Sequence, residues 1–233
     1  MKKRSFAENQ GALYRGKAVE DRTIQPERAA SIIKCLAVLR ANGEAWADQA
    51  LMLVYISWLT GAKIKDLVSL SLGDITVASY DPRGAIVASD IRVGKSVISV
   101  TPRCIVPIVE YMKRHELKVD PRLPKYSRNE YLIFHAENGT HCDVDKNRTV
   151  RWAQDTFKAA IGSAQIDRGY SISSLRNLHQ QMMMEVVGAN ESLVDFLMGN
   201  TRYSYMYRNA YMGPFRSRAA QHFEKTMSDL GIV

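Results

Sequence analysis

Residues 202–218 interleave cations with phenol rings: Arg202, Tyr203, Tyr205, Tyr207, Arg208, Tyr211, Arg216 and Arg218. A guanidinium fork matches two phosphate oxygens, and a tyrosine ring packs against a sugar or a base, so the stretch suits contact with a nucleic-acid backbone. A solvated face would use the same residue types. Histidine and cysteine offer no comparable chemistry. His135, His141 and Cys142 lie close in sequence without the spacing of a zinc site. The three cysteines, Cys35, Cys104 and Cys142, form no Cys-x-x-Cys pair, so free thiols in a reduced, intracellular protein are expected, with no metal and no cofactor.

The whole composition leans the same way as that stretch. Thirty-two Lys and Arg against 24 Asp and Glu leave a formal charge of +8 and a pI near 9.4, which favours a polyanionic partner. At 46% hydrophobic and 24% charged the chain is that of a folded protein. Its longest apolar run, 50–59, is interrupted by Ser57 and is too short to span a bilayer. Met1-Lys2-Lys3-Arg4 is followed by no apolar segment, so a secretory signal is not expected, and neither is a membrane partner.

Residues 1–23 read as a flexible basic tail, and residues 24–233 as one foldable unit. Pro26 suits a first helical turn, with Thr23 as its cap, and Ile32, Ile33, Leu36 and Leu39 carry a helical period that stops at Asn42-Gly43. A largely buried helix over 46–59 follows, broken by Gly61, then a short helix over 64–70 that turns Ile64, Leu67, Val68 and Leu70 inward. The period then changes. Segments 75–80, 85–93 and 96–100 are β-branched and separated by Asp81-Pro82-Arg83-Gly84 and Gly94-Lys95, which predicts a three-stranded antiparallel sheet. Helices are expected again over 105–115, 147–161, 175–187, 191–198 and 216–230, with a polar loop at 118–129 and a short extended piece at 131–134. Val150, Trp152, Ala153, Phe157 and Ile161 mark the inner face of the second of these, and Met182-Met183-Met184 a packed face of the third.

Six local segments in this frame carry a resemblance. They are Thr60-Gly61-Ala62-Lys63-Ile64-Lys65-Asp66-Leu67, Leu72-Gly73-Asp74-Ile75, Gly94-Lys95 ahead of Cys104-Ile105-Val106-Pro107-Ile108, Leu132-Ile133-Phe134 before a helix, Ser173-Ser174-Leu175-Arg176, and Leu197-Met198-Gly199-Asn200. In this order and spacing they resemble the catalytic domain of the tyrosine recombinase (phage integrase) family, over residues 25–215. The resemblance implies an α+β fold, mainly α-helical, with the small antiparallel sheet between two sets of helices.

That family cleaves DNA by attack of a tyrosine on a phosphodiester, and its site gathers cationic donors around the phosphate. Transferred residue by residue, the resemblance assigns phosphate binding to Lys63, Lys95, Ser173, Arg176 and Asn200. Arg202 and Arg208 add further DNA contacts. Three of these positions depart from the family. Lys63 replaces an arginine and keeps charge without the bidentate fork. Ser173 replaces a histidine and cannot shuttle a proton near neutral pH. Asn200 replaces a histidine or tryptophan and carries no charge. The nucleophile belongs about nine residues after Asn200; that position is Asn209, with Tyr207 and Tyr211 each two residues out of register.

The resemblance thus implies a DNA-binding domain that holds a phosphate without cutting, associated with nucleoid or plasmid DNA in the cytoplasm and suited to a mobile element, plasmid or phage. A divergent recombinase using Tyr207 or Tyr211 is the enzymatic alternative. An interaction module without DNA binding is a third. The first 24 residues are too few for the family's additional DNA-clamping domain, so recognition is expected to be weaker or to draw on a homo-oligomer or protein partner, with the C-terminal helix either engaging that partner or folding back on its own chain. The histidine three residues after Arg176, His179, is within reach of the same pocket, with placement in the core or on the surface the expected one.

Overall fold

The segment Ala45–Thr60 is apolar on every side, and the other helices collect around it. The structure, a computed structural model, describes residues 23–80, 86–94, 96–115, 132–135, 148–167, 169–188, 194, 198 and 213–233. In chain order these form helices α1 (Pro26–Ala41), α2 (Ala45–Thr60) and α3 (Ile64–Val68), a 3-10 turn at Leu72–Asp74, and strands β1 (Ile75–Tyr80), β2 (Ile86–Val93) and β3 (Ser96–Val100). Helices α4 (Pro102–Arg114), α5 (Val150–Ser163), α6 (Ile172–Val187) and α7 (Gly213–Asp229) follow. All but the last residue of the tail expected over 1–23, the loop over 118–129 and nearly all of the helix expected over 191–198 lie outside the described residues, as do Lys95, Asn200, Arg202, Tyr207, Arg208 and Tyr211.

Thirteen of the sixteen residues of α2 are buried, as a helix without a polar face requires. α1, α4, α5 and α6 pack around it. Each fully buried Leu, Ile, Met or Phe there is worth about 1.5–3 kcal/mol of transfer free energy. The polar groups on α2 are satisfied internally: Tyr55 OH donates to Cys104 O at 2.7 Å, and Thr60 Oγ1 donates to Ile56 O at 2.7 Å. Gly61 ends the helix at φ +57°, the left-handed region that favours glycine.

The strands pair in the order β1-β2-β3, antiparallel throughout. Ile75 faces Ile91, and Ile91 faces Ile98, so three buried isoleucines run in one row across the sheet on its core side. Arg92, next along β2, points to solvent.

Helix starts differ from the sequence expectations where a cap intervenes. Gln25, not Thr23, occupies the N-cap of α1, because Pro26 takes the first helical position and Thr23 lies two residues too early. Thr101 Oγ1 accepts from Cys104 N at 3.4 Å, starting α4 at Pro102 rather than 105. Thr149 Oγ1 accepts from Trp152 N at 3.1 Å and starts α5 at Val150, which leaves Val150 exposed rather than inward. Ser171 N donates to Ser174 Oγ at 3.2 Å, so α6 begins at Ile172 and takes Ser173 into its first turn. In the methionine run, Met182 and Met183 are buried and Met184 packs at the edge of the core.

α7 lies against α6 and β3 of its own chain, burying Ala219, Ala220, Phe223 and Met227. The segment 132–135 is tied in by backbone bonds. Leu132 bridges Ser71, Ile133 N donates to Leu70 O at 2.9 Å, and Tyr111 OH donates to Ile133 O at 3.0 Å.

Candidate anion site

Two segments 110 residues apart in sequence meet where α2 ends and α6 begins. Lys63 leaves the turn between α2 and α3, at the N-cap position of α3. Ser173 and Arg176 project from the first turns of α6. Together with Ser57, Ala62, Ile64 and Ile172 they line a cavity of about 200 Å³ that opens to the surface. Lys63 and Ser173 are exposed at its mouth and Arg176 is half-buried. Among the described residues, the lining carries two cations and two hydroxyls.

Arg176 is oriented by the turn it faces: Nη1 donates to Gly61 O. The cavity also lies at the amino end of a sixteen-residue helix, where unpaired N–H groups and the aligned peptide dipoles favour negative charge. An anion there meets fixed positive charge on two sides and hydroxyl donors beside it. The volume accommodates a phosphate group with a few waters.

Ser57 is the residue that sequence reading missed. In the chain it is only an interruption of an apolar run; one turn before Gly61, it lies on the face of α2 that meets the cavity. Gly61, which the sequence marks as the helix break, is also a point of close packing. A β-carbon on it would lie 2.5 Å from His179 Cδ2, 2.8 Å from His179 Cγ and 2.9 Å from Met198 Cε. Three segments that are distant in sequence therefore converge on Gly61: its own turn, α6, and residue 198. His179 is fully buried, in the core and not in the cavity lining, with its ring stacked on Phe223 at 4.6 Å between centroids and 26° between planes.

A second polar cluster occupies the opposite end of α2, about 20 Å away by helical rise. Asp48 accepts from Arg114 Nη2 at 2.9 Å and Nε at 3.3 Å, faces His115 Nε2 at 2.9 Å, and pairs with Arg40 at 3.6 Å. Burial pushes the Asp48 carboxyl up, but the hydrogen bonds and charges of Arg114 and His115 outweigh it and hold it below the usual range. Beside it Gln49 Nε2 lies 2.9 Å from His135 Nδ1, and Arg148 Nε donates to Gln49 Oε1 at 3.3 Å. Burial and the charges of His115 and Arg148 push His135 down. This cluster ties α1, α2, α4 and the segment 132–135 together, with the Asp48 carboxylate held by Arg114, His115 and Arg40.

No protein-family model matches the chain and no curated protein matches its sequence. Solved structures do match. One is the XerH site-specific recombinase bound to palindromic difH substrate in a post-cleavage complex, at 15% identity and a TM-score of 0.54, covering 91% of this chain and 53% of that one. Another is XerH bound to difH substrate in a pre-cleavage complex, at 15% identity and a TM-score of 0.53, covering 88% and 52%. The chain spans about half the length of these recombinases. No helix among its described residues is long and apolar enough to cross a membrane. At such low identity the likeness is one of fold, and the fold of this chain is that of a tyrosine recombinase.

Proposed function

We propose that this chain is a DNA-binding protein derived from a tyrosine recombinase catalytic domain, which grips the phosphate backbone of duplex DNA without cleaving it. One observation carries the reading: Lys63, Ser173 and Arg176 line one open cavity at the amino end of α6. The net charge of +8 and the XerH structures, solved with their difH substrates, support a DNA partner. Absence of cleavage follows from residue chemistry. A lysine, a serine and an asparagine stand where the reaction calls for a bidentate cation, a proton shuttle and a further strong donor. Loss of single groups of this kind costs orders of magnitude in rate, and losses within one site do not repair each other. Phosphate binding needs only the charge and the hydroxyls.

In this reading Lys95 and Asn200 complete the phosphate contacts, Arg202 and Arg208 extend them along the strand, and the basic residues of 1–23 add a loose electrostatic hold. The DNA belongs to a mobile element, plasmid or phage, in regulation, replication or transfer. A partner or second copy docks on the outer, polar side of α7, since its apolar side is covered by its own chain.

Nicked duplex fragments from the protein's own genetic neighbourhood test this, scored for gel-shifted complexes and for denaturant-resistant adducts. Shifted complexes that weaken steeply with salt, with no adduct, are the expected result. An adduct that disappears in Tyr207→Phe or Tyr211→Phe makes the protein a divergent recombinase. Absence of any shift at low salt makes it a protein-interaction module.

A further inference from the structure

Arg176 and His179 leave α6 one turn apart and close on the same corner of the chain. Arg176 reaches Gly61 O, and His179 Nδ1 lies 2.9 Å from Trp58 O. Trp58 is in the last turn of α2, and the N–H that would continue the helix onto its carbonyl, that of Ala62, faces Thr60 Oγ1 at 3.3 Å instead. The imidazole N–H takes that place, which makes Nδ1 the protonated nitrogen. Nε2 is buried and has no hydrogen-bond partner among the described residues, which a neutral ring tolerates and an imidazolium would not. Phe223 stacks on the ring, and Gly61 approaches it so closely that a β-carbon there would lie 2.5 Å from His179 Cδ2.

We propose that His179 is a positioning residue for the anion cavity: its neutral ring, fixed by Trp58 and Phe223, holds the Gly61 turn whose carbonyl aims Arg176. The inference rests on the proposed reading of that cavity as a phosphate site, and it adds a consequence. Phe223 belongs to α7, so the seating of the C-terminal helix is felt at Arg176 through one ring. His179 is not itself among the described residues that line the cavity.

The test is a double-mutant cycle on the full chain, read as affinity for a duplex of fixed sequence at fixed salt, with a thermal melt of every variant. Arg176→Ala alone tests the cavity. His179→Phe keeps the ring and removes the N–H, and is expected to weaken binding about 3- to 10-fold in the wild-type background, the scale of one hydrogen bond. In the Arg176→Ala background the same change is expected to do nothing. His179→Asn, whose amide N–H falls near the position of Nδ1, is expected to recover part of the loss. Wild-type affinity in a folded His179→Phe, or an equal loss in both backgrounds, overturns the positioning role while leaving the cavity intact. Unchanged affinity in Arg176→Ala overturns the cavity reading instead. Should His179→Phe not fold, imidazole nitrogen shifts in the wild-type chain decide. The expected result is an Nδ1–H tautomer whose signals move when the duplex is added, and an Nε2–H tautomer or silent signals overturn the proposal.

Discussion

The carboxylate of Asp66 lies against Gly94, so close that a β-carbon on the glycine would meet Asp66 Oδ2 at 2.9 Å. Asp66 sits in α3, three residues after Lys63, and Gly94 turns the chain from β2 to β3 at φ +57°. The contact seats that turn beside the short helix that follows the cavity. Gly94→Ala therefore meets both a left-handed backbone and a crowded carboxylate. It is expected to lower stability by about 1–2 kcal/mol, read from urea denaturation.

Gly61→Ala is expected to be worse. The left-handed φ costs about 1–2 kcal/mol, and the new carbon would crowd the ring of His179, which is already stacked on Phe223. Overpacking adds about 1–3 kcal/mol more. Gly162→Ala is the control: it lies within α5 with nothing inside 4 Å of the new carbon, and is expected to stabilise by about 0.5–1 kcal/mol. Equal effects of the two changes on the denaturation midpoint would refute this account of Gly61.

Removing a cation of the proposed phosphate site should show as a change of salt slope. Arg176→Ala and Lys63→Ala are each expected to weaken duplex binding across all sequences alike and to reduce the slope of log affinity against log salt by about one. Arg176→Lys should restore the slope and only part of the affinity, because a point charge lacks the guanidinium fork. Titrations from low to physiological salt measure both.

Acid should act first on His179. Burial, and then the charge of Arg176, push this histidine down to about 4 from 6.5 against the opposing bond to Trp58 O. Between those values the unfolded chain binds a proton that the folded chain does not, so stability falls as pH falls. The contribution is fully present above pH 6.5 and is lost as pH falls to 4, by about 3 kcal/mol. Denaturation midpoints through that window should slope less in His179→Phe than in the wild type. Parallel slopes would mean that another group carries the acid response.

The sequence announced those parts of the molecule that obey a local rule. Gly61 after an apolar helix, the β-branched segments ahead of α4, and the order of Lys63, Ser173 and Arg176 can all be read along the chain. Helix starts were blurred wherever a threonine or serine cap reached ahead of the apolar period, as at Thr101 and Ser171. Ser57 and His179 stayed hidden for a different reason. The hydroxyl of Ser57 has meaning only once the end of α2 is set against α6, and the role of His179 depends on Trp58, Gly61 and Phe223, which lie 121, 118 and 44 residues away from it in the chain. No window along the chain contains such a neighbourhood.

Because α2 has no polar face, it cannot swing into water by itself, and its amide protons should exchange with solvent only when the whole molecule opens. Ser57 and the Gly61 turn are fixed to the end of that helix. The floor of the cavity thus keeps the clock of global unfolding, even where the rim beside it breathes far faster.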